Sequence, residues 1–230
     1  MKSSSTMISA FLGKSDLPKG QSQRRGRGAG AVFPAVLITG LFLSVGLDAA
    51  TVVSVTGTTT SDLAIFGTGA QAVGVSWTQS GTYSGVAVAA ELLGSGEGTA
   101  WLTNAIGPAA TVSNLISSAV FNAPGSPTLV QLFSGLTLPS GTYYLTLSAN
   151  DGAAGGWSYS TSPTVSTSVG VTSGTTYFTS SSLAFVPSST FGNTPTQNVK
   201  YQVTGTAVPE PSVMALLGMG FLFVSRRRRP

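Results

Sequence analysis

The stretch that decides the fold is TYYLTLS, residues 142–148, because its side chains follow a period of two. Successive side chains of a β-strand point to opposite faces, so this stretch is predicted to be a strand with one face in the core. The core face carries Tyr143, Leu145 and Leu147, and the other face carries Tyr144, Thr146 and Ser148. We expect Thr146 to be exposed to solvent.

A second alternating stretch is NVKYQV, residues 198–203, which places Val199, Tyr201 and Val203 opposite Lys200 and Gln202. We expect Gln202 to be exposed and the tail beyond residue 205 to lie outside the sheet. Other short stretches rich in β-branched or aromatic residues lie between turns of Gly, Pro, Asn or Ser; they are AVGVSW, VAVAAEL, TAWLTNAI, TLVQLF and TTYFTS. The sequence therefore predicts an all-β fold, an antiparallel, jelly-roll-like β-sandwich over residues 51–205.

The charges of the chain are concentrated at its two ends. The chain has 230 residues, of which 8% are charged, and a sequence pI of about 9.6. Every basic residue except Lys200 lies before residue 28 or after residue 225. The predicted sandwich thus sets one lysine against four carboxylates, so we expect no nucleic-acid partner despite the high pI.

The composition argues against catalysis, because the chain has no histidine and no cysteine. A Ser-His or Cys-His pair is therefore excluded, and the commonest metal ligands are missing. We expect no enzyme activity and no cofactor. The alternative is a glycoside hydrolase built on Glu91 and Glu97, which are close in sequence.

Metal binding also has little support in the sequence. Asp151 lies in the turn-rich loop ANDGAAGG, residues 149–156, where loop carbonyls could join it around a calcium ion. Such sites generally use more than one carboxylate. We therefore predict no metal site, and an ordinary turn at Asp151.

Aromatic side chains leave sugar binding open as the alternative function. An aromatic ring can stack on a sugar face while nearby hydroxyls and amides bind its edges. Trp157 and Tyr159 alternate on one predicted strand beside the glycine-rich loop, so they are the candidate sugar-stacking pair. Trp77 and Trp101 are expected to be core residues, and a core position is the alternative interpretation of Trp157.

The N-terminal residues 1–50 are typical of an export signal. A basic, polar leader precedes the apolar run 31–47, which small residues follow at Ala49 and Ala50. Arg24 and Arg25 suggest a twin-arginine signal, but the apolar residues expected after such a pair are missing. An uncleaved N-terminal anchor is the alternative.

The C-terminal residues 206–230 combine a Pro-Glu-Pro tripeptide, an apolar run and four arginines. The run 213–224 would rise about 18 Å as a helix, against about 30 Å of membrane hydrocarbon. It is therefore predicted to be a short transmembrane helix and a poor permanent anchor. The cluster of guanidinium groups after it is predicted to stop transfer and leave the sandwich facing outward; its members are Arg226, Arg227, Arg228 and Arg229. An ordinary tail anchor is the alternative.

This tail resembles the PEP-CTERM sorting signal of Gram-negative bacteria, with VPEPS, an apolar segment and RRRR in that order over residues 208–229. The resemblance implies that an exosortase, a membrane-embedded protease, recognises Pro209, Glu210 and Pro211. It also implies cleavage, and then surface attachment or release into extracellular polymer. Residues 73–160 are similar to a β-rich domain found ahead of this signal, a resemblance that implies no reaction.

These observations predict an exported protein, anchored for a time by its C-terminal helix and then placed at the cell surface or outside the cell. We expect a structural role in an extracellular matrix of biofilm or exopolysaccharide, with exosortase as a partner and polysaccharide as a second one. A carbohydrate-binding adhesin is the alternative, and a hydrolase is the third reading.

Overall fold

A computed structural model describes residues 49–65, 71–150, 152, 155–180 and 183–209 of the chain. These residues form fourteen strands and two single-turn 3₁₀ helices, at Val112–Asn114 and Val186–Ser188. The strands are β1 (Ala50–Thr56), β2 (Ser61–Ala64), β3 (Ala72–Gln79), β4 (Tyr83–Gly94), β5 (Gly96–Thr103), β6 (Leu115–Ala123), β7 (Thr128–Leu138), β8 (Gly141–Ala149), β9 (Gly155–Ser160), β10 (Thr164–Thr167), β11 (Val171–Thr179), β12 (Gly192–Asn193), β13 (Asn198–Val199) and β14 (Tyr201–Ala207). The predicted all-β class is confirmed.

The strands form two sheets, and every pairing within the described residues is antiparallel. One sheet has eight strands in the order β10-β1-β14-β4-β9-β13, with β7 added beside β4 and β2 beside β9. The other has six strands in the order β12-β11-β3-β8-β5-β6. From β6 to β9 the chain changes sheet at each connection. The apolar faces of the two sheets pack together, which makes the fold the antiparallel sandwich that the sequence predicts.

The core between the sheets contains the residues that the alternating patterns place there. Leu145 and Leu147 of the six-stranded sheet and Val203 of the eight-stranded sheet are completely buried. The Trp77 ring bridges the two sheets, with its centroid 5.5 Å from that of Tyr143 and 6.3 Å from that of Tyr201. The predicted inward face of both stretches is confirmed.

The expectation that Thr146 is exposed was wrong, because the outer face of the six-stranded sheet is covered at this point. Thr146 is completely buried. Its strand neighbour Gly74 lies so close to the loop after β5 that a Cβ atom there would be 3.7 Å from Ile106 Cδ1. The same loop is tied to the second 3₁₀ helix, since Gly107 N–H donates to Pro187 O at 2.9 Å. A loop and a helical turn thus form a lid over Thr146.

The last strand also differs from expectation, both in the exposure of Gln202 and in the residue at which the strand ends. Gln202 is half-buried, so its predicted exposure holds only in part. Strand β14 continues past residue 205, because Thr206 and Ala207 still pair with Ser84 and Tyr83. The tail therefore leaves the sheet two residues later than predicted.

Candidate functional site

The chain leaves the sandwich at Ala207 as an accessible segment. The Val208 N–H donates to Thr82 O at 2.9 Å, and the Val208 side chain is 43% exposed. Pro209, the first residue of the predicted recognition tripeptide, is exposed. Glu210, Pro211, the run 213–224 and Arg226 to Arg229 lie outside the described residues, as does the predicted export signal up to residue 48. Within the described ranges, no helix is long and apolar enough to span a bilayer.

The described chain enters the sandwich at the same end from which it leaves. Strands β1 and β14 are antiparallel neighbours, and Ala50 at the start of one pairs with Gly205 near the end of the other. On the opposite side of β14, Ala207 pairs with Tyr83, and Tyr83 in turn pairs with Leu138 at the end of β7. We call this end of the sandwich, defined by Ala50, Tyr83, Leu138 and Ala207, the tail-exit end.

A cavity of about 560 Å³ opens at the tail-exit end, where the turn between β7 and β8 faces the segment that connects β5 to β6. Ten residues line it: Asn104, Asn114, Ile116, Thr137, Leu138, Pro139, Ser140, Gly141, Thr142 and Tyr143. None of them is charged. Such a lining offers hydrogen bonds and apolar contacts without an electrostatic preference for either sign of charge.

The turn that forms one wall of the cavity is fixed by side chains from the core. The buried carboxamide of Gln79 donates from Nε2 to Leu138 O at 2.9 Å and to Pro139 O at 3.0 Å. The Tyr143 hydroxyl donates to Pro139 O at 2.6 Å. A tyrosine hydroxyl is a neutral donor at physiological pH, and burial raises the pKa of Tyr143 further above its ordinary value. The wall is therefore held in place before any ligand arrives.

The opposite wall contains two linked carboxamides. Asn114 Nδ2 donates to Asn104 Oδ1 at 2.9 Å, while Asn114 Oδ1 accepts from Thr111 N–H at 2.9 Å. Asn114 closes the short 3₁₀ helix that begins at Val112, and this turn positions its side chain. Neither asparagine lies in a periodic or compositionally distinct stretch of the sequence, so this pair was not predicted.

The structure does not support the predicted sugar-stacking pair. The Trp157 side chain is completely buried, and its indole N–H donates to Lys200 O at 2.8 Å, so neither ring face is open to a ligand. Tyr159 is half-buried and packs against the core. The two residues do share one strand, β9, but both faces of this strand are covered. Trp77 is a core residue as expected, whereas Trp101 is half-buried.

The two glutamates considered for hydrolysis lie in different sheets and have different partners. Glu91 in β4 accepts from Lys200 Nζ at 2.8 Å and from the Thr59 hydroxyl at 3.2 Å. Glu97 in β5 accepts from Asn150 Nδ2 at 2.8 Å. Asp151 is outside the described residues. Among the residues that the structure describes, no three His, Cys, Asp or Glu side chains cluster as metal ligands would.

Comparison with known protein families identifies a motif at the C-terminal end of the chain. A protein-family model described as the PEP-CTERM protein-sorting motif matches residues 207–229, which begin at the last residue of β14. No curated protein and no solved structure matches the chain.

Proposed function

Because the chain carries a PEP-CTERM sorting motif, which indicates an exported protein sorted by an exosortase, we propose that its sandwich is a structural component of the extracellular matrix. In this proposal the export signal of residues 1–50 directs the chain across the inner membrane. The helix 213–224 and Arg226 to Arg229 hold it there for a time, and cleavage near Pro209, Glu210 and Pro211 delivers the sandwich to the surface or the surrounding polymer.

The observation that carries this proposal is the position of the tail. The motif begins at Ala207, where the last strand ends, and Val208 and Pro209 are exposed. A protease has to draw its recognition segment out of the substrate's fold, and here no strand pairing has to be broken beyond residue 207. Sorting can therefore remove the tail without loosening the sandwich.

A non-catalytic role for the sandwich is supported by its side-chain chemistry. The described residues contain four charged side chains, those of Asp62, Glu91, Glu97 and Lys200, and both glutamates already accept hydrogen bonds within the fold. Hydroxyl-rich outer faces and a sparsely charged, mildly acidic body suit a hydrated polymer layer. The proposed partner in that layer is extracellular polysaccharide.

The test is to isolate the extracellular polymer fraction and to determine the C-terminus of the protein in it by mass spectrometry. We expect the sandwich to be recovered there without the arginine cluster, since the motif is removed during sorting. Glu210→Ala should accumulate as membrane-bound precursor, because the tripeptide loses its only carboxylate. Glu97→Ala is the matched control, an exposed glutamate in β5 whose loss should leave processing unchanged. Recovery of peptides covering residues 218–225 in most secreted molecules would contradict the proposal.

A further inference from the structure

We propose that the cavity at the tail-exit end is a binding site for an uncharged saccharide. This inference goes beyond sorting and does not rest on it. It also assigns sugar binding to residues other than Trp157 and Tyr159. Four observations carry it: the lining has no charge, one carboxamide has free donors, free hydroxyls lie beside it, and an apolar side chain forms part of the wall.

The lack of charge selects the class of ligand. None of the ten lining residues is charged. Anionic ligands are usually bound by lysine or arginine, and the single described cation, Lys200, is paired with Glu91 instead. A neutral ligand rich in hydroxyl groups matches a lining of carboxamides, hydroxyls and backbone carbonyls.

The orientation of the Asn104 carboxamide follows from its neighbours. Thr111 N–H can only donate, so the atom of Asn114 that receives it is the oxygen, and Asn114 must present its nitrogen to Asn104. Asn104 accepts that bond with Oδ1. Its own NH₂ group therefore faces away from Asn114, and it makes no hydrogen bond to any described residue. An exposed, oriented NH₂ group is a suitable donor to a sugar hydroxyl.

The hydroxyls of Thr137 and Ser140 extend this polar surface along the turn between β7 and β8. Neither hydroxyl makes a hydrogen bond to a residue in the described part of the chain, whereas the turn that carries Ser140 and follows Thr137 is held by Gln79 and Tyr143. A ligand would thus meet donors and acceptors whose backbone is already fixed, which lowers the entropy cost of binding. Ile116, which is 37% exposed, supplies an aliphatic surface for the C–H face of a sugar ring.

The size of the cavity is compatible with this class of ligand. Its volume of about 560 Å³ lies within the usual range of small-molecule sites. The open mouth suits the end or a short segment of a polymer chain more than a fully enclosed metabolite.

The experiment uses the full chain purified in detergent and immobilised neutral and acidic oligosaccharides. The neutral set contains glucose, galactose, mannose, xylose and N-acetylglucosamine oligomers, and the acidic set contains oligogalacturonates and hyaluronan fragments. We expect the protein to bind at least one neutral oligomer. We do not expect binding to be restricted to the acidic oligomers. Asn104→Asp keeps the acceptor for Asn114 but loses both N–H donors, so it should weaken that binding at least about tenfold.

The matched control is Asn193→Asp, which adds the same charge on the exposed strand β12, away from the cavity. It should leave the affinity within about twofold of the original protein. Thermal unfolding of each variant checks the fold. If Asn104→Asp is unfolded, Ser140→Ala takes its place, with an expected loss of about three- to tenfold.

Three results would overturn the inference. They are failure to bind any neutral oligomer, equal effects of Asn104→Asp and Asn193→Asp, or binding restricted to acidic oligomers. Because the assay measures a ligand and the sorting test measures cleavage in cells, failure of one proposal is distinguishable from failure of the other.

Discussion

At the scale of single residues, Thr146 has a polar group in a place where the fold offers it nothing to bond. Its side chain is completely buried, and its hydroxyl oxygen has no hydrogen-bond partner among the described residues. A buried hydroxyl without a partner costs about 1 to 3 kcal/mol relative to a satisfied one. Thr146 is therefore a position where an apolar residue of the same shape fits better than the native one.

We predict that Thr146→Val raises the free energy of unfolding by about 1 kcal/mol, because it removes the unsatisfied hydroxyl and keeps the volume. The neighbouring Leu145→Ala, on the core face of the same strand, should lower it by about 2 to 5 kcal/mol by opening a cavity. Chemical denaturation of both variants measures the difference. A loss of more than about 1 kcal/mol in Thr146→Val would mean that the hydroxyl has a partner.

Tyr201 gives the sandwich a dependence on alkaline pH. Its hydroxyl lies in the core and donates to Ser76 O at 3.3 Å, with Ser173 Oγ at 3.0 Å. Burial raises the pKa of Tyr201 to about 12, although the hydrogen bond with Ser173 acts in the opposite direction. An unfolded tyrosine ionises near its ordinary value of 10, so the unfolded chain releases this proton first.

We therefore predict that Tyr201 contributes stability that is fully present below pH 10 and is lost as the pH rises through 12. At pH 11 the loss should be about 1 to 2 kcal/mol. The measurement is the free energy of unfolding at pH 9 and pH 11 for the original protein and for Tyr201→Phe. The original protein should lose more stability, because only it has the Tyr201 hydroxyl. Tyrosines such as Tyr143 and Tyr144 are present in both proteins, so their contributions cancel in the comparison. Equal losses would contradict the assignment.

At the scale of elements, one ion pair joins three segments that are far apart in sequence. Lys200 Nζ lies 2.8 Å from Glu91 Oε1 in β4 and 2.7 Å from Thr59 Oγ1 in the connection before β2. The Lys200 side chain is only 8% exposed, so its charge has little access to water. Removing one partner of a buried pair leaves the other charge without compensation.

We predict that Glu91→Ala lowers the free energy of unfolding by about 2 to 3 kcal/mol, because it leaves the Lys200 ammonium group buried beside a neutral hydroxyl. Glu97→Ala is the matched control, since Glu97 is exposed and bonds to an exposed asparagine; its cost should be under about 1 kcal/mol. Denaturant titration of the two variants compares them directly. Similar costs would show that water reaches Lys200 more readily than its burial indicates.

The inward face of a strand could be predicted from the sequence where one face is covered and the other is at least partly exposed. Strand β14 follows this rule: Tyr201 and Val203 are buried and its polar residues are half-buried, which is why its pattern in the sequence shows the core face. Strand β9 does not, because both of its faces are covered; alternation in its sequence placed Trp157 and Tyr159 together but could not tell that Trp157 faces the core. The lid over Thr146 was not predictable either, because its loop and helical turn have no periodic pattern.

At the scale of the whole molecule, the sorting segment could be predicted from the sequence, whereas the cavity could not. The sorting segment is continuous, so Pro209, Glu210 and Pro211 and the arginines after them are visible as one pattern. The cavity is assembled from Asn104, Asn114 and the turn near residue 140, which only the pairing of β5 with β6 and with β8 brings together. A site of this kind has no signature along the chain, and its asparagines resemble any loop asparagine.

The tail-exit end also fixes how mechanical load would pass through the molecule. Ala207 pairs with Tyr83, and Tyr83 pairs with Leu138, which lines the cavity. If the cavity binds a polymer as proposed, a pull between it and the C-terminal attachment would act at one end of the sandwich, across the neighbouring ends of β14, β4 and β7. Interstrand hydrogen bonds lie perpendicular to the strands, so a pull between two points at the same end of the sheet acts along these bonds and loads those nearest that end first. The C-terminal attachment and the cavity are neighbours, so the opposite end of the sandwich would carry little of the tension between them.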